Sequence, residues 1–98
     1  MTTYSPEPII KTLNAEGDST GWHHFQNHFY TTFKPDGDWA GTISLEMSVD
    51  GESNPVEVDK LDTEGSIHVP VTRGGWYFRV IIRSGNYSSG SGVLTMKP

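Results

Sequence analysis

Ala40-Gly41-Thr42-Ile43-Ser44-Leu45-Glu46-Met47-Ser48-Val49 is the stretch whose reading decides the fold class. Ile43, Leu45, Met47 and Val49 alternate with Thr42, Ser44, Glu46 and Ser48. Side chains on a strand point to opposite faces in turn, so period two reads as one strand with a core face and a wet face. Apolar residues at i, i+3, i+4 and i+7 would signal a helix, and no segment of this chain carries them.

The same rule extends outward in both directions. Upstream, Phe25 to Phe33 alternates, with Phe25, Phe29 and Phe33 on one face. Lys34-Pro35-Asp36-Gly37-Asp38 separates the two strands as a turn, where proline presets φ and Gly37 is expected to supply a positive φ. Ile9 to Leu13 reads as a first short strand, and Asn14 to Gly21 as a polar loop. Downstream, Asp50-Gly51 ends the deciding strand, Val56 to Lys60 alternates again, and Glu64-Gly65 marks another turn. Ile67, Val69 and Val71 form a short strand near an edge or a strand end, because Pro70 lacks an N–H. Trp76, Phe78, Val80 and Ile82 make the buried face of the most hydrophobic strand. Gly85 to Gly92 reads as a loop, and Val93 to Met96 as the closing strand. This is about seven strands with turn signals roughly every ten residues, the pattern of an all-β antiparallel sandwich of jelly-roll or immunoglobulin-like type. Residues 1–8, with Pro6 and Pro8, read as an extended N-terminal arm, and residues 9–98 as a single sandwich domain.

With 98 residues the chain suffices for one domain. Its apolar fraction of 34% is lean, which points to stability shared with a second chain. An 11% aromatic content argues against disorder. The formal net charge is −5, and Lys11, Lys34, Lys60, Arg73, Arg79, Arg83 and Lys97 are scattered. Nucleic-acid binding needs a basic stripe, so that class is set aside, and the acidic balance weakens attraction to anionic membranes. The absence of cysteine fits folding in a reducing cytoplasm. Met1-Thr2-Thr3-Tyr4-Ser5 has neither a basic nor an apolar leader segment, so a protein used as translated is expected.

The chemistry-bearing residues point away from catalysis. His23, His24 and His28 invite a metal reading, but His24 and His28 would stand ~13 Å apart on a strand, and His24 is followed by Phe25 where the HExxH signature has Glu. Asp36-Gly37-Asp38 and Asp50-Gly51-Glu52 lack the twelve-residue frame of a calcium loop and read as hairpin turns. No cysteine or Gly-x-Ser-x-Gly elbow offers a nucleophile, so no enzyme, metal or cofactor is expected. Asn86-Tyr87-Ser88 matches a glycosylation sequon that a cytoplasmic chain would not use. The second face of the Trp76 strand carries Tyr77, Arg79, Ile81 and Arg83. Tyr and Arg are favoured at interfaces, so this stripe either meets a partner or pairs with acidic neighbours such as Glu46. With Tyr4 on the arm and Asn86 and Tyr87 on the late loop, these are the candidate interface residues.

Three segments carry a resemblance. Trp39-Ala40-Gly41-Thr42-Ile43-Ser44-Leu45-Glu46-Met47-Ser48-Val49-Asp50-Gly51 resembles a recurrent strand of tailed-bacteriophage virion proteins. Gly74-Gly75-Trp76-Tyr77-Phe78-Arg79-Val80 resembles its companion strand, and Ser88-Ser89-Gly90-Ser91-Gly92-Val93-Leu94 its Ser-Gly-rich ending. The likeness spans Trp39 to Met96 and departs after Asp50-Gly51, where Glu52-Ser53-Asn54-Pro55 replaces the usual Gly and Thr-Trp. It implies a virion structural protein made in a host cytoplasm, foremost a head decoration or cement protein that binds the major capsid protein, with a trimer expected. The alternatives are a neck, tail or baseplate component of the same fold, or a small carbohydrate-binding module using Trp22, Trp39 or Tyr87.

Overall fold

Alternation becomes structure here as two four-stranded antiparallel sheets facing each other across one hydrophobic core. A computed structural model describes residues 8–71 and 75–97. The arm from Met1 to Glu7, with Tyr4, and the motif glycine Gly74 lie outside the described residues. The strands are β1 (Ile9–Leu13), β2 (His23–Phe25), β3 (Phe29–Pro35), β4 (Ala40–Gly41), β5 (Ile43–Ser48), β6 (Val56–Leu61), β7 (Gly65–Val69), β8 (Trp76–Ile81), β9 (Tyr87–Ser89) and β10 (Gly92–Lys97). The first sheet runs β1-β10-β3-β7, the second β2-β8-β5-β6, and β4 with β9 forms a small third sheet.

The described residues thus hold ten strands rather than about seven: two of the extra ones come from breaks inside segments that read as continuous, and the third from a segment that read as a loop. Phe25 to Phe33 is split. The chain bends at Gln26–His28 and passes from the second sheet to the first. Phe25 and Phe29 still share the core, now from opposite sheets, with ring centroids 3.9 Å apart and planes 15° apart. Period two cannot distinguish a strand that stays in its sheet from one that crosses. The Ala40–Val49 stretch breaks at Thr42, whose N–H is drawn to the Asn86 carbonyl at 2.9 Å. Gly85 to Gly92 is not wholly a loop, since Tyr87–Ser89 pairs with Ala40–Gly41.

The core follows the expected faces closely. Ile43, Leu45, Phe78, Val80 and Ile82 are buried, with Leu13, Phe25, Phe29, Phe33, Val69, Leu94 and Met96. Met47 and Trp76 are only half-buried, and Val49, 66% exposed, stands beyond the strand end. Gly92 is required by packing, because a Cβ there would run into the Phe33 ring. The reading of a wet second face on β5 is overturned. Ser44, Glu46 and Ser48 are all buried, because neighbouring side chains supply partners for each.

Side-chain oxygens hold the turns. Gly37 does not take up the positive φ expected of it. The Asp36 carboxylate shapes that turn instead, accepting from Asp38 N at 3.0 Å and from Ser91 N and Oγ at 3.2 and 3.0 Å. Asp50 caps the β5–β6 connection, accepting from Ser53 Oγ at 2.6 Å, from the N–H groups of Ser53 and Glu52, and from Ser48 Oγ. Donation by Ser53 holds the Asp50 carboxyl well below the usual carboxylate range, and donation by Ser91 lowers Asp36.

Two expectations follow. Leu45→Ala should cost about 2–5 kcal/mol, read as a lower denaturation midpoint with an unchanged slope. A carboxylate with a depressed folded pKa contributes stability that is complete above its unfolded value and is lost as pH falls toward the folded one. Melting temperature should therefore be insensitive to these groups at neutral pH and drop as pH falls below the ordinary carboxylate value of 3.8. Asp50→Asn should flatten part of that acid limb, and an unchanged limb would place the sensitivity elsewhere.

Candidate functional site

The stripe that runs along β8 and on to Arg83 is held by contacts within the domain. Register places Glu46 of β5 beside Arg79 of β8. Arg79 Nε donates to Glu46 Oε1 at 2.7 Å, while Arg83 donates to Oε2 through Nε at 2.7 Å and Nη2 at 2.6 Å. Glu46, only 3% exposed, is thereby satisfied on both oxygens. Glu57 of β6 extends the chain of contacts, reaching Arg83 Nη1 at 3.5 Å and accepting from Ser44 Oγ at 2.8 Å. Trp22 lies against the Arg79 guanidinium, 4.5 Å from ring centroid to Cζ. The pairing with Glu46 expected of the stripe is present.

The other candidates are likewise engaged. Tyr77 packs over Gly51 and stands 4.9 Å from the His24 ring. Ile81 is half-buried and bridges Ser19. The Asn86 carbonyl accepts from Thr42, and its N–H donates to Arg83 O at 3.0 Å. Tyr87 donates to Gly90 O at 3.0 Å and packs 6.1 Å from Trp39. Arg79, Arg83, Tyr77 and Ile81 are gathered on one face, while Asn86 and Tyr87 sit beside the small third sheet. Trp22 is held on Arg79 and Trp39 on Phe33 and Tyr87, so the three rings named for sugar stacking do not share one platform. His24 and His28 lie on either side of the sheet crossing. His28 stands near Tyr30 and His68, with the two imidazole centroids 5.3 Å apart. Among the described residues no group of three or more His, Asp or Glu is placed to hold a metal ion.

A concave site lies elsewhere, where the sandwich stays open. β7 ends the first sheet and β6 the second, and these two edge strands do not pair with each other. They converge at one end, where Leu61 packs on Gly65, and part toward the other. Between them is a cleft of about 350 Å³ lined by Leu45, Met47, Val58, Asp59, Ile67, His68, Val69, Pro70, Trp76 and Phe78. An irregularity shapes its lip: Leu45 pairs with Asp59 and Glu46 with Glu57, so Val58 is left over as a bulge. A bulge redirects side chains next to it, and here both Val58 and Asp59 line the cleft. Alternation in Val56 to Lys60 marks the strand but does not reveal the skipped residue, so this site was not legible in the sequence.

Comparison with known proteins bears on the fold alone. No family model matches the chain, and no curated protein matches it. Among solved structures, the crystal structure of the Yersinia pseudotuberculosis-derived mitogen is similar, with a TM-score of 0.59 at 12% identity. The alignment covers 94% of this chain and 86% of that one. The chain is thus an all-β antiparallel protein with a sandwich-like architecture shared with that mitogen.

Removing the central carboxylate tests the polar face. Glu46→Ala leaves two guanidiniums facing each other and should cost about 1.5–3 kcal/mol, the range for hydrogen bonds to charged groups. Arg83→Ala should cost less, because Arg83 is 38% exposed and its charge is screened. Equal midpoints for Glu46→Ala and the parent would show that the cluster contributes no stability.

Proposed function

We propose that this chain is a jelly-roll binding module that serves as an accessory structural protein of a tailed-bacteriophage virion, foremost as a head decoration protein. The observation that carries the reading is strand pairing. With β4 and β9 set aside, eight strands remain. They pair first with last (β1 with β10), second with seventh (β2 with β8), third with sixth (β3 with β7) and fourth with fifth (β5 with β6). That is one long hairpin rolled up so that successive pairs fall in alternate sheets. It favours the jelly roll over the immunoglobulin-like arrangement, whose sheets are built differently. Jelly rolls recur in viral capsid and lectin domains.

The second support is the resemblance of the Trp39–Gly51, Gly74–Val80 and Ser88–Leu94 segments to phage virion proteins. The likeness to a mitogen concerns fold, and at 12% identity it transfers no activity. In this reading the module attaches to the major capsid protein, as a trimer, and stabilises the assembled shell by binding it in preference to free subunits. A neck, tail or baseplate position is the second location.

Purified particles from cells producing the phage that encodes the chain should contain it in a fixed ratio to the major capsid protein. Particles lacking the gene product should release DNA at lower temperature and regain stability on addition of the purified chain. Its absence from particles would overturn the reading; presence in tails alone would move it to the second location.

A further inference from the structure

We propose that the cleft between β6 and β7 is a binding site for a small organic cation of the alkyl- or arylammonium class, its apolar part in the cleft and its charge against Asp59. This goes beyond the virion reading and does not depend on it.

The lining divides cleanly by chemistry. Leu45 and Met47 of β5, Trp76 and Phe78 of β8, Val58 of β6, and Ile67 and Val69 of β7 present aliphatic and aromatic surface. A volume of about 350 Å³ lies within the range of small-molecule sites, which pair an apolar body with a few placed polar groups. Here the placed group is a carboxylate. Register sets Asp59 opposite Leu45, which is 2% exposed, so the carboxylate belongs to the core-facing side of the strand. One of its oxygens accepts from the N–H of Lys60 at 2.8 Å, and it forms no ion pair among the described residues. Its neighbour Glu57, by contrast, is held by Ser44 and Arg83. The His68 ring is 4.9 Å from Tyr30 and 5.3 Å from His28, and among the described residues that line the cleft Asp59 is the carboxylate.

An inward charge on an edge strand also deters edge-to-edge pairing. That role needs no cavity beside it. The bulge at Val58 and the half-buried Trp76 and Met47 instead leave room next to the carboxylate. An apolar acid would meet like charge at the lip, and a neutral apolar molecule would gain nothing from Asp59. An ammonium attached to a short alkyl or aryl group gains from both parts of the site.

The test uses the full chain at pH 8 and low salt, titrated separately with phenethylammonium, 2-phenylethanol and 3-phenylpropionate, with amide chemical shifts as readout. Phenethylammonium should shift the amides of Val58, Asp59, Ile67, Val69 and Trp76. It should bind about five-fold tighter than phenylethanol, the scale of one exposed ion pair, and the carboxylate should bind weakest. The preference should shrink in 1 M salt. Asp59→Asn should abolish the difference between the ammonium and the alcohol while leaving alcohol binding unchanged. Val58→Trp, at a position 44% exposed, should block all three ligands with the melting temperature retained. Shifts elsewhere, no charge preference, or an unchanged preference in Asp59→Asn would each overturn the assignment. So would binding of an extended Phe-Lys peptide without binding of phenethylammonium, which would make the occupant a partner's strand added to β6.

Discussion

Three phenylalanine rings join the sheets, and the rest of the structure is arranged around them. Phe25 and Phe78 come from the second sheet and Phe29 from the first. Phe29 stacks on Phe25 and meets Phe78 edge-on with centroids 5.0 Å apart, while Phe25 and Phe78 are 6.1 Å apart. Aromatic rings contribute large buried area and a preference for stacked or edge-on geometry, so such a trio fixes both separation and orientation. Because Phe25 and Phe29 are only four residues apart, the crossing at Gln26–His28 is pinned at both ends. From that point the chain must place β3 in one sheet while β2 stays in the other.

The polar face of the second sheet answers a different demand. A buried carboxylate is costly unless its oxygens are satisfied, and Glu46 meets that condition with two arginines, one on β8 and one just beyond its end. The β5–β8 register brings Glu46 beside Arg79, and Arg83, two residues past the end of β8, reaches the other carboxylate oxygen. Trp22 then shields the outer surface of Arg79. A strip that resembles a protein interface in composition also closes the domain's own surface.

Much of the fold was legible because period two is a local signal. Ile43, Leu45, Phe78, Val80 and Ile82 could be assigned to the core from neighbours one and two residues away. The pairing of the arginine stripe with Glu46 was foreseen as one of two readings, but other features that depend on distant residues were not. The sheet change after Phe25 leaves the alternation of phenylalanines intact. The burial of Glu46 depends on Arg83, 37 residues later, and its polarity alone reads as exposure. The turn at Asp36 rests on Ser91, 55 positions away, so glycine chemistry was credited with what a carboxylate does. Of the candidate site residues, six were found engaged within the domain. The cleft arises from one skipped residue, Val58, that no hydropathy pattern marks.

The pairing of first strand with last has a temporal consequence. β10 is an interior strand of the first sheet, flanked by β1 and β3, yet it is made after every other described strand. Until synthesis reaches Lys97, β1 has no neighbour in its sheet, and β3 has an open edge that exposes Phe33 and unpaired backbone groups. Contacts so distant in sequence must close large loops before they return free energy, which makes folding slow and leaves the nascent chain open to aggregation. The architecture therefore ties closure of the first sheet to the synthesis of β10: an emerging polypeptide can assemble its β5–β6 hairpin early, but β1 and β3 can be joined only once β10 has been made.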